Sequence, residues 1–218
     1  MKIKNLWQNY QFPVCDNCKK ECQGHLNYKN LCANLNYLLE YAEKNYEKNK
    51  ESFKELKRYI GNIKPNIFSF GCGLGFDYIG ATEIFGQNIT YFGVDENDWA
   101  IKKTENYKKF KPKLPKTINF EEGIFLLNAM QENVVICFFN SLFTILNNTN
   151  LEKELVNALQ NKRTFYLVCN YTINKNFHMP KEELNFLNKL LEKLNGIFKF
   201  KCFEILDGKG IIVCGEIK

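Results

Sequence analysis

The longest regular pattern in the chain predicts a helix. From residue 31 to residue 60, apolar side chains recur mostly three or four positions apart, and Lys and Glu fill the opposite side. The apolar positions are Leu31, Leu35, Leu38, Ala42, Tyr46, Phe53, Leu56 and Ile60. This spacing is typical of a helix that buries one stripe. We expect one long amphipathic helix, with Asn49 as the candidate position of a break.

After residue 61 the pattern changes to short apolar runs that alternate with helical segments. Strands are predicted at 67–70, 90–94, 117–120, 134–139, 164–169, 198–205 and 210–215, and helices at about 76–86, 98–110, 124–131, 150–161 and 181–194. Strands alternating with helices predict an α/β fold with a parallel sheet covered on both faces. The last two runs are joined by a short turn with no room for a crossover helix, so they should form an antiparallel hairpin at one edge.

A glycine-rich turn follows the first predicted strand. It reads Gly71-Cys72-Gly73-Leu74-Gly75 and opens the next predicted helix, and Asp95 ends the second predicted strand. Glycines allow positive φ and let a ligand approach the main chain at the positive end of a helix. A carboxylate about 20 residues further on can accept hydrogen bonds from two ribose hydroxyls. The sequence therefore predicts a nucleotide cofactor.

The spacing of the glycines indicates which nucleotide. A dinucleotide site prefers G-x-G-x-x-G/A, and its third position would fall on Phe76, which would crowd a pyrophosphate. The spacing G-x-G-x-G instead resembles motif I of the class I S-adenosylmethionine-dependent methyltransferases, and Asp95 is similar to the acid of their motif II. The resemblance covers about residues 59–218. It implies a Rossmann-like, seven-stranded, mostly parallel sheet with a C-terminal antiparallel hairpin.

The resemblance also implies roles for residues around the turn. The turn residues would line the methionine and ribose parts of the cofactor, Asp95 would hold the ribose, Glu96 would lie near the adenine edge, and Glu121 or Glu122 would face the adenine amino group. The implied cofactor-binding residues are Gly71, Cys72, Gly73, Gly75, Asp77, Asp95, Glu96, Glu121 and Asn140. Many family members have an acid two positions before the first glycine, where this chain has Ser69. Asp77 is the candidate that replaces its contact to the methionine amino group.

The reacting groups are expected at the carboxyl ends of the later strands. Ligands of such sheets bind outside these ends. The exit of the fourth strand, 139–143, would face the transferred methyl group, and Asn140 could accept a hydrogen bond from a substrate amine. This segment has a faint likeness, without the prolines, to the Asn/Asp-Pro-Pro-aromatic motif of amino methyltransferases. His178, in the loop before the last helix, is a candidate base. A strand-end cap and a solvated loop histidine are the alternatives for these two, and Asn170 and Tyr171 are further candidates by location.

Soft metal ligands are concentrated near the start of the chain. The C-x2-C pair Cys15 and Cys18 is followed by Cys22, His25 and Cys32. Four such ligands close a tetrahedral zinc site, and metal binding would order a short segment without periodicity. We predict zinc on Cys15, Cys18, Cys22 and Cys32, with His25 as an alternative fourth ligand, and with an iron–sulfur cluster or buried thiols as alternatives. The chain would then divide into a Cys-rich helical segment, 1–58, and a cofactor-binding domain, 59–218.

Composition modifies these expectations only slightly. Nine cysteines, an odd number, agree with an intracellular protein without a disulfide framework, and the absence of a long apolar run predicts a cytoplasmic chain that does not contact membranes. The net charge is +6, but only Arg58 and Arg163 of the 30 basic residues are arginines, and arginine is the preferred phosphate contact. A Lys-rich stretch at 102–116, with Tyr107 and Phe110, could contact nucleic acid, or could be the solvated face of a helix.

The sequence therefore predicts an S-adenosylmethionine-dependent methyltransferase with an unknown methyl acceptor. Two alternatives remain open at this point. One is a nucleic-acid-associated binding protein that keeps the cofactor fold, and the other is an NAD-dependent oxidoreductase. The same fold can also transfer an aminocarboxypropyl group from the same cofactor.

Overall fold

The computed structural model describes residues 29–105, 115–139, 150–170, 181–208 and 210–218. Within these ranges it contains seven strands in one sheet, with helices on both faces. The expected α/β fold is confirmed.

The N-terminal helical region is continuous from Leu31 to Ile60. Helix α1 (Leu31–Tyr37) is capped by Asn30, whose side chain accepts two backbone N–H hydrogen bonds, and it runs through a π-helical turn (Leu38–Ala42) into α2 (Glu43–Ile60). The irregular turn therefore lies at Leu38–Ala42, and the break expected near Asn49 is wrong. Asn49 lies inside α2, where its buried amide accepts a hydrogen bond from a strand residue.

The sheet combines a parallel core with an antiparallel edge. Its strands are β1 (Asn66–Phe70), β2 (Thr90–Val94), β3 (Thr117–Ile118), β4 (Val134–Phe139), β5 (Thr164–Asn170), β6 (Phe198–Ile205) and β7 (Gly210–Ile217). Their order is β3-β2-β1-β4-β5-β7-β6. The first five are mutually parallel, and β7 is antiparallel to both β5 and β6. The predicted C-terminal hairpin is thus confirmed, with β7 inserted between β5 and β6.

The remaining helices follow the strands. They are α3 (Phe76–Phe85), a 3-10 turn (Ala100–Lys103), α4 (Phe120–Ala129), α5 (Leu151–Gln160) and α6 (Lys181–Leu194). Helix α4 begins earlier than predicted because the side chain of Asn119 accepts the backbone N–H of Glu122 and so caps the helix directly after β3. The strand expected at 117–120 is shortened for the same reason. The helix expected at 98–110 is described only as far as residue 105, where the structure has the 3-10 turn followed by a helical residue, Glu105.

The two faces of the sheet carry separate apolar cores. On one face, Phe68, Phe70 and their neighbours pack against α4, α5 and α6. On the other, Ile67 and Cys137 pack against α2 and α3. Successive side chains of a strand point to opposite faces of the sheet. Because both faces are covered, every residue of β4 is buried, and this explains the unbroken apolar run by which this central strand was predicted.

Helices α2 and α3 lie in close contact on their face of the sheet. A Cβ added at Gly80 of α3 would lie 3.3 Å from the Cα of Lys50, so the glycine permits the close approach. The Tyr46 hydroxyl donates a hydrogen bond to Glu83 at 2.6 Å, and Lys50 forms an ion pair with the same carboxylate. Burial raises the pKa of Glu83, but the hydrogen bonds from Lys50 and Tyr46 outweigh it and bring the pKa to about 2.

A third apolar cluster joins the N-terminal helices to the glycine turn. It contains Leu35 and Leu38 on one side and Leu74, Phe76 and Trp99 on the other. The segment before residue 58 therefore packs against the α/β part of the chain, and the division into a Cys-rich segment and a cofactor-binding domain at that residue stays a prediction. Among the described residues, no helix is both long and apolar enough to span a membrane.

Candidate functional site

The glycine turn between β1 and α3 has the backbone conformation that only glycine adopts readily. Gly71, Gly73 and Gly75 have φ values of 70°, 58° and 77°. The N–H of Gly71 donates to the carbonyl oxygen of Val94 at 2.7 Å, which ties the turn to the end of β2. The turn is thus built at the carboxyl edge of the sheet, where ligands of this fold bind.

Asp95 directly follows β2 and is bonded to the same turn. One carboxylate oxygen, Oδ2, accepts the Gly73 N–H at 2.7 Å, and the other, Oδ1, accepts the Asn97 N–H at 2.7 Å. The residue is partly exposed. A carboxylate offers about four acceptor positions, so two such bonds orient the group and leave acceptor capacity for a ligand.

Asp77, the candidate partner of an amino group, lies in the first turn of α3 and is only 3% exposed. The Tyr91 hydroxyl donates to its Oδ2 at 2.7 Å. Burial raises its pKa, and the nearby Ser69 hydroxyl partly offsets this effect. Its other oxygen, Oδ1, makes no hydrogen bond of ordinary length to any of the described residues. The buried carboxyl group can therefore accept one further donor.

Three other residues proposed to contact the cofactor lie around this centre. The thiol of Cys72 packs against Gly93 of β2, so this side chain points toward the neighbouring strand. Glu96 is exposed beside Asp95, and Glu121 is exposed in the first turn of α4. The Asp95 N–H donates to the Ile118 carbonyl oxygen at 3.1 Å, which brings the start of α4 close to the acidic loop. Contacts of Glu96 and Glu121 with adenine stay predictions.

Several predicted residues lie outside the described ranges. They are Cys15, Cys18, Cys22, His25, Asn140, Tyr171 and His178. Cys32, the remaining proposed metal ligand, lies partly buried in the first turn of α1. The described residues contain no group of three or more His, Cys, Asp or Glu side chains that could hold a metal ion. The zinc site stays a prediction.

Asn170 ends β5 and forms a buried link to α2. Its side-chain amide donates to Asn49 at 2.9 Å and to the Ser52 hydroxyl at 3.1 Å. In the sheet it is paired with Phe139, the last residue of β4. The sequence indicated Asn170 by its location alone, and the structure places it at the carboxyl edge as expected.

Trp99 is a residue of this region that the sequence analysis missed. The indole is 3% exposed and lies on Gly73: a Cβ added there would be 3.1 Å from Cζ2 of the ring. The sequence feature that could have indicated Trp99 is a single large apolar side chain in the polar segment after Asp95.

Comparison with solved structures shows which proteins this chain is similar to. An O-methyltransferase from Bacillus cereus, solved in complex with SAH (S-adenosylhomocysteine), is similar with a TM-score of 0.53 and 10% identity, covering 99% of this chain and 97% of that one. A SAM-dependent methyltransferase from Aquifex aeolicus has a TM-score of 0.49 and 15% identity, covering 81% of this chain and 98% of that one.

No protein-family model matches the sequence, and no curated protein matches it. The chain has the fold of a class I methyltransferase. At this level of identity the likeness extends to the fold alone, so the function depends on the geometry of the site.

Proposed function

We propose that this chain is an S-adenosylmethionine-dependent methyltransferase that binds its cofactor at the glycine turn. The observation that carries the proposal is the position of Asp95. Its carboxylate is held by two backbone N–H groups, one from the turn itself, and remains partly exposed at the carboxyl edge of the sheet. An oriented carboxylate with free acceptor positions suits the two neighbouring hydroxyls of a ribose.

The glycines support a ligand in contact with the main chain. Gly73 and Gly75 adopt positive φ, which a residue with a Cβ adopts only with strain. Gly75 also starts α3, whose first N–H groups favour a negatively charged ligand group such as a carboxylate. S-adenosylmethionine carries a ribose, a carboxylate and an ammonium group, which fit Asp95, the start of α3 and Asp77, respectively.

Phe76 favours this cofactor over NAD. It occupies the third position of the dinucleotide pattern and is the first residue of α3. Its side chain is buried in the cluster that also contains Leu74 and Trp99. A dinucleotide needs a small residue here, because the pyrophosphate and the neighbouring strand approach closely.

The reaction of such a site is an in-line displacement. S-adenosylmethionine supplies an activated methyl group on a sulfonium sulfur: the acceptor's lone pair forms the new bond to carbon as the carbon–sulfur bond breaks, and SAH leaves. Orientation of the acceptor can provide much of the acceleration. We propose that Asn140 orients the acceptor and that His178 removes its proton where it has one.

Calorimetry with SAH and NAD tests the proposal, with Asp95→Ala as the informative variant. We expect the wild-type chain to bind SAH and not NAD, and Asp95→Ala to bind SAH at least tenfold more weakly, about 1.4 kcal/mol. Asp98→Ala is the matched control, because it removes an exposed carboxylate of the same loop that pairs with Lys103. Preference for NAD, or equal losses in the two variants, would contradict the assignment.

A further inference from the structure

The loop after Asp95 is tied to the rest of the chain near both of its ends. At the first end, Asp95 accepts the Gly73 N–H, and its own N–H donates to the Ile118 carbonyl oxygen of β3. At the second end, the N–H of Ile101 donates to Oδ1 of Asn34 in helix α1 at 3.0 Å. Residues 95–99 form neither helix nor strand. The position of the loop therefore depends on these two anchors.

Asn34 is an unusual residue for its place in helix α1, because it is completely buried. Asparagine is a poor helix former, and a buried amide costs free energy unless it is hydrogen-bonded. Ile101 is equally buried and lies in the 3-10 turn Ala100–Lys103, where the first N–H groups have no partner within the turn. The Asn34 side chain thus satisfies a buried backbone donor that the geometry of the turn leaves open.

Backbone hydrogen bonds connect this anchor with the Asp95 carboxylate. The Asn97 N–H donates to Oδ1 of Asp95, and the Asn97 carbonyl oxygen accepts the N–H of Trp99 at 3.1 Å. The Trp99 carbonyl oxygen in turn accepts the Lys102 N–H at 3.0 Å. The side chains of Trp99 and Ile101 are buried in the apolar cluster that joins the N-terminal helices to the glycine turn. The loop is therefore one bonded segment, and a displacement at Ile101 is transmitted to Asp95.

We propose that Asn34 is a positioning residue for Asp95, so that helix α1 helps to orient the ribose-binding carboxylate. Asn34 acts through the backbone of the loop and does not touch the ligand. A carboxylate oriented before the ligand arrives lowers the ordering cost of binding. By reciprocity, a nucleoside that binds Asp95 also stabilises the contact between α1 and the loop. This inference rests on the proposed function, since it concerns the same cofactor site.

Amide hydrogen exchange tests the link between α1 and the loop. In Asn34→Ala the Ile101 N–H loses its acceptor, so we expect residues 96–104 of the ligand-free variant to exchange at least about fivefold faster than in the wild type. In the wild type, SAH should slow exchange both in this segment and in α1. Unchanged exchange in the variant, or SAH that protects the loop and not α1, would overturn the inference.

Calorimetry with SAH separates positioning of Asp95 from general support of the fold. We expect Asn34→Ala to weaken SAH binding about fivefold in the wild-type background and less than about twofold in the Asp95→Ala background, because residues that act through one another are not additive. Equal losses in the two backgrounds, or no loss in either, would overturn the inference. If Asn34→Ala does not fold, Asn34→Leu replaces it, because leucine removes the acceptor and still fills the buried space.

Asn49→Ala is the matched control. Asn49 is also a buried asparagine of the N-terminal helices whose side chain is bonded to another element, in this case to Asn170 of β5. In the sheet, β1 and β4 separate β5 from β2, which Asp95 follows. The control should lower thermal stability comparably and leave the SAH affinity unchanged. A loss of affinity equal to that of Asn34→Ala would contradict a specific role of Asn34.

The outcomes separate this inference from the proposed function. Wild-type protein that fails to bind SAH contradicts the proposed function itself. Wild-type binding that Asp95→Ala weakens and Asn34→Ala leaves unchanged overturns the role of Asn34 alone.

Discussion

Two carboxylates beside the glycine turn differ in their surroundings. Asp95 is partly exposed and accepts backbone N–H groups, whereas Asp77 is buried, accepts the Tyr91 hydroxyl and has a raised pKa. Groups with such different environments suit different ligand groups. We propose that Asp95 accepts the ribose hydroxyls and that Asp77 accepts the ammonium group of the methionine part, whose positive charge would favour the ionised carboxylate.

Asp77→Asn tests this separation of roles. We expect the variant to lose affinity for SAH by about tenfold, because the amide keeps the shape of the side chain and removes its charge. Its affinity for 5′-methylthioadenosine should stay that of the wild type, because this nucleoside lacks the amino-acid part. Calorimetry with both ligands measures the difference. Equal losses for the two ligands would show that Asp77 supports the turn without contacting the ammonium.

At the residue scale, the sequence identified groups that follow one another along the chain. Gly71, Gly73, Gly75 and Asp95 were found from their spacing after two strands, and the structure brings them together. The contact of Trp99 with Gly73 was missed because it depends on how the loop after Asp95 folds back over the turn. The hydrogen bond from the Ile101 N–H to Asn34 joins residues 67 positions apart. The spacing of apolar residues along the chain does not indicate such a pair.

At the element scale, strands were predicted more accurately than helix boundaries. The bounds of β2, β4 and β6 agree with the expected ones, since short apolar runs bounded by polar residues leave few alternatives. The helix predicted over residues 31–60 had Asn49 as the candidate position of a break, but α2 continues through this residue. That position is polar for a structural reason: Asn49 and Ser52 accept hydrogen bonds from Asn170 of β5.

The Cys-rich sequence before α1 is the part of the chain that is predicted to bind a metal. We expect about one zinc ion per chain by elemental analysis of freshly purified protein. Cys18→Ser should retain less of it, because the C-x2-C pair is broken and the three remaining thiolates need His25 to complete a tetrahedral site. Cys202→Ser is the matched control, an exposed cysteine of the edge strand β6. Iron in place of zinc would favour the cluster alternative, and protein free of both metals would refute the metal site.

At the scale of the whole molecule, the fold class could be predicted because alternating strands and helices allow few arrangements. Parallel strands need crossover helices, and the short 205–211 turn allows only a hairpin. The pattern of apolar and polar residues did not predict where the N-terminal helices pack. An amphipathic stripe shows that α1 and α2 bury one face, but the partner surface, formed by Leu74, Phe76 and Trp99, depends on the assembled sheet.

The site then follows from the order of strands in the sheet. β1 lies between β2 and β4, so the glycine turn at its end is flanked by Asp95 on one side and by the end of β4 on the other. Cofactor and methyl acceptor would therefore meet above neighbouring strand ends, as ligands do in sheets of this kind.

A crystal structure of the chain soaked with SAH tests the central claim most directly. We predict both ribose hydroxyls within hydrogen-bonding distance of the Asp95 carboxylate, with the nucleoside against Gly73. Density for SAH at another place in the molecule, or a ribose that does not contact Asp95, would contradict the account.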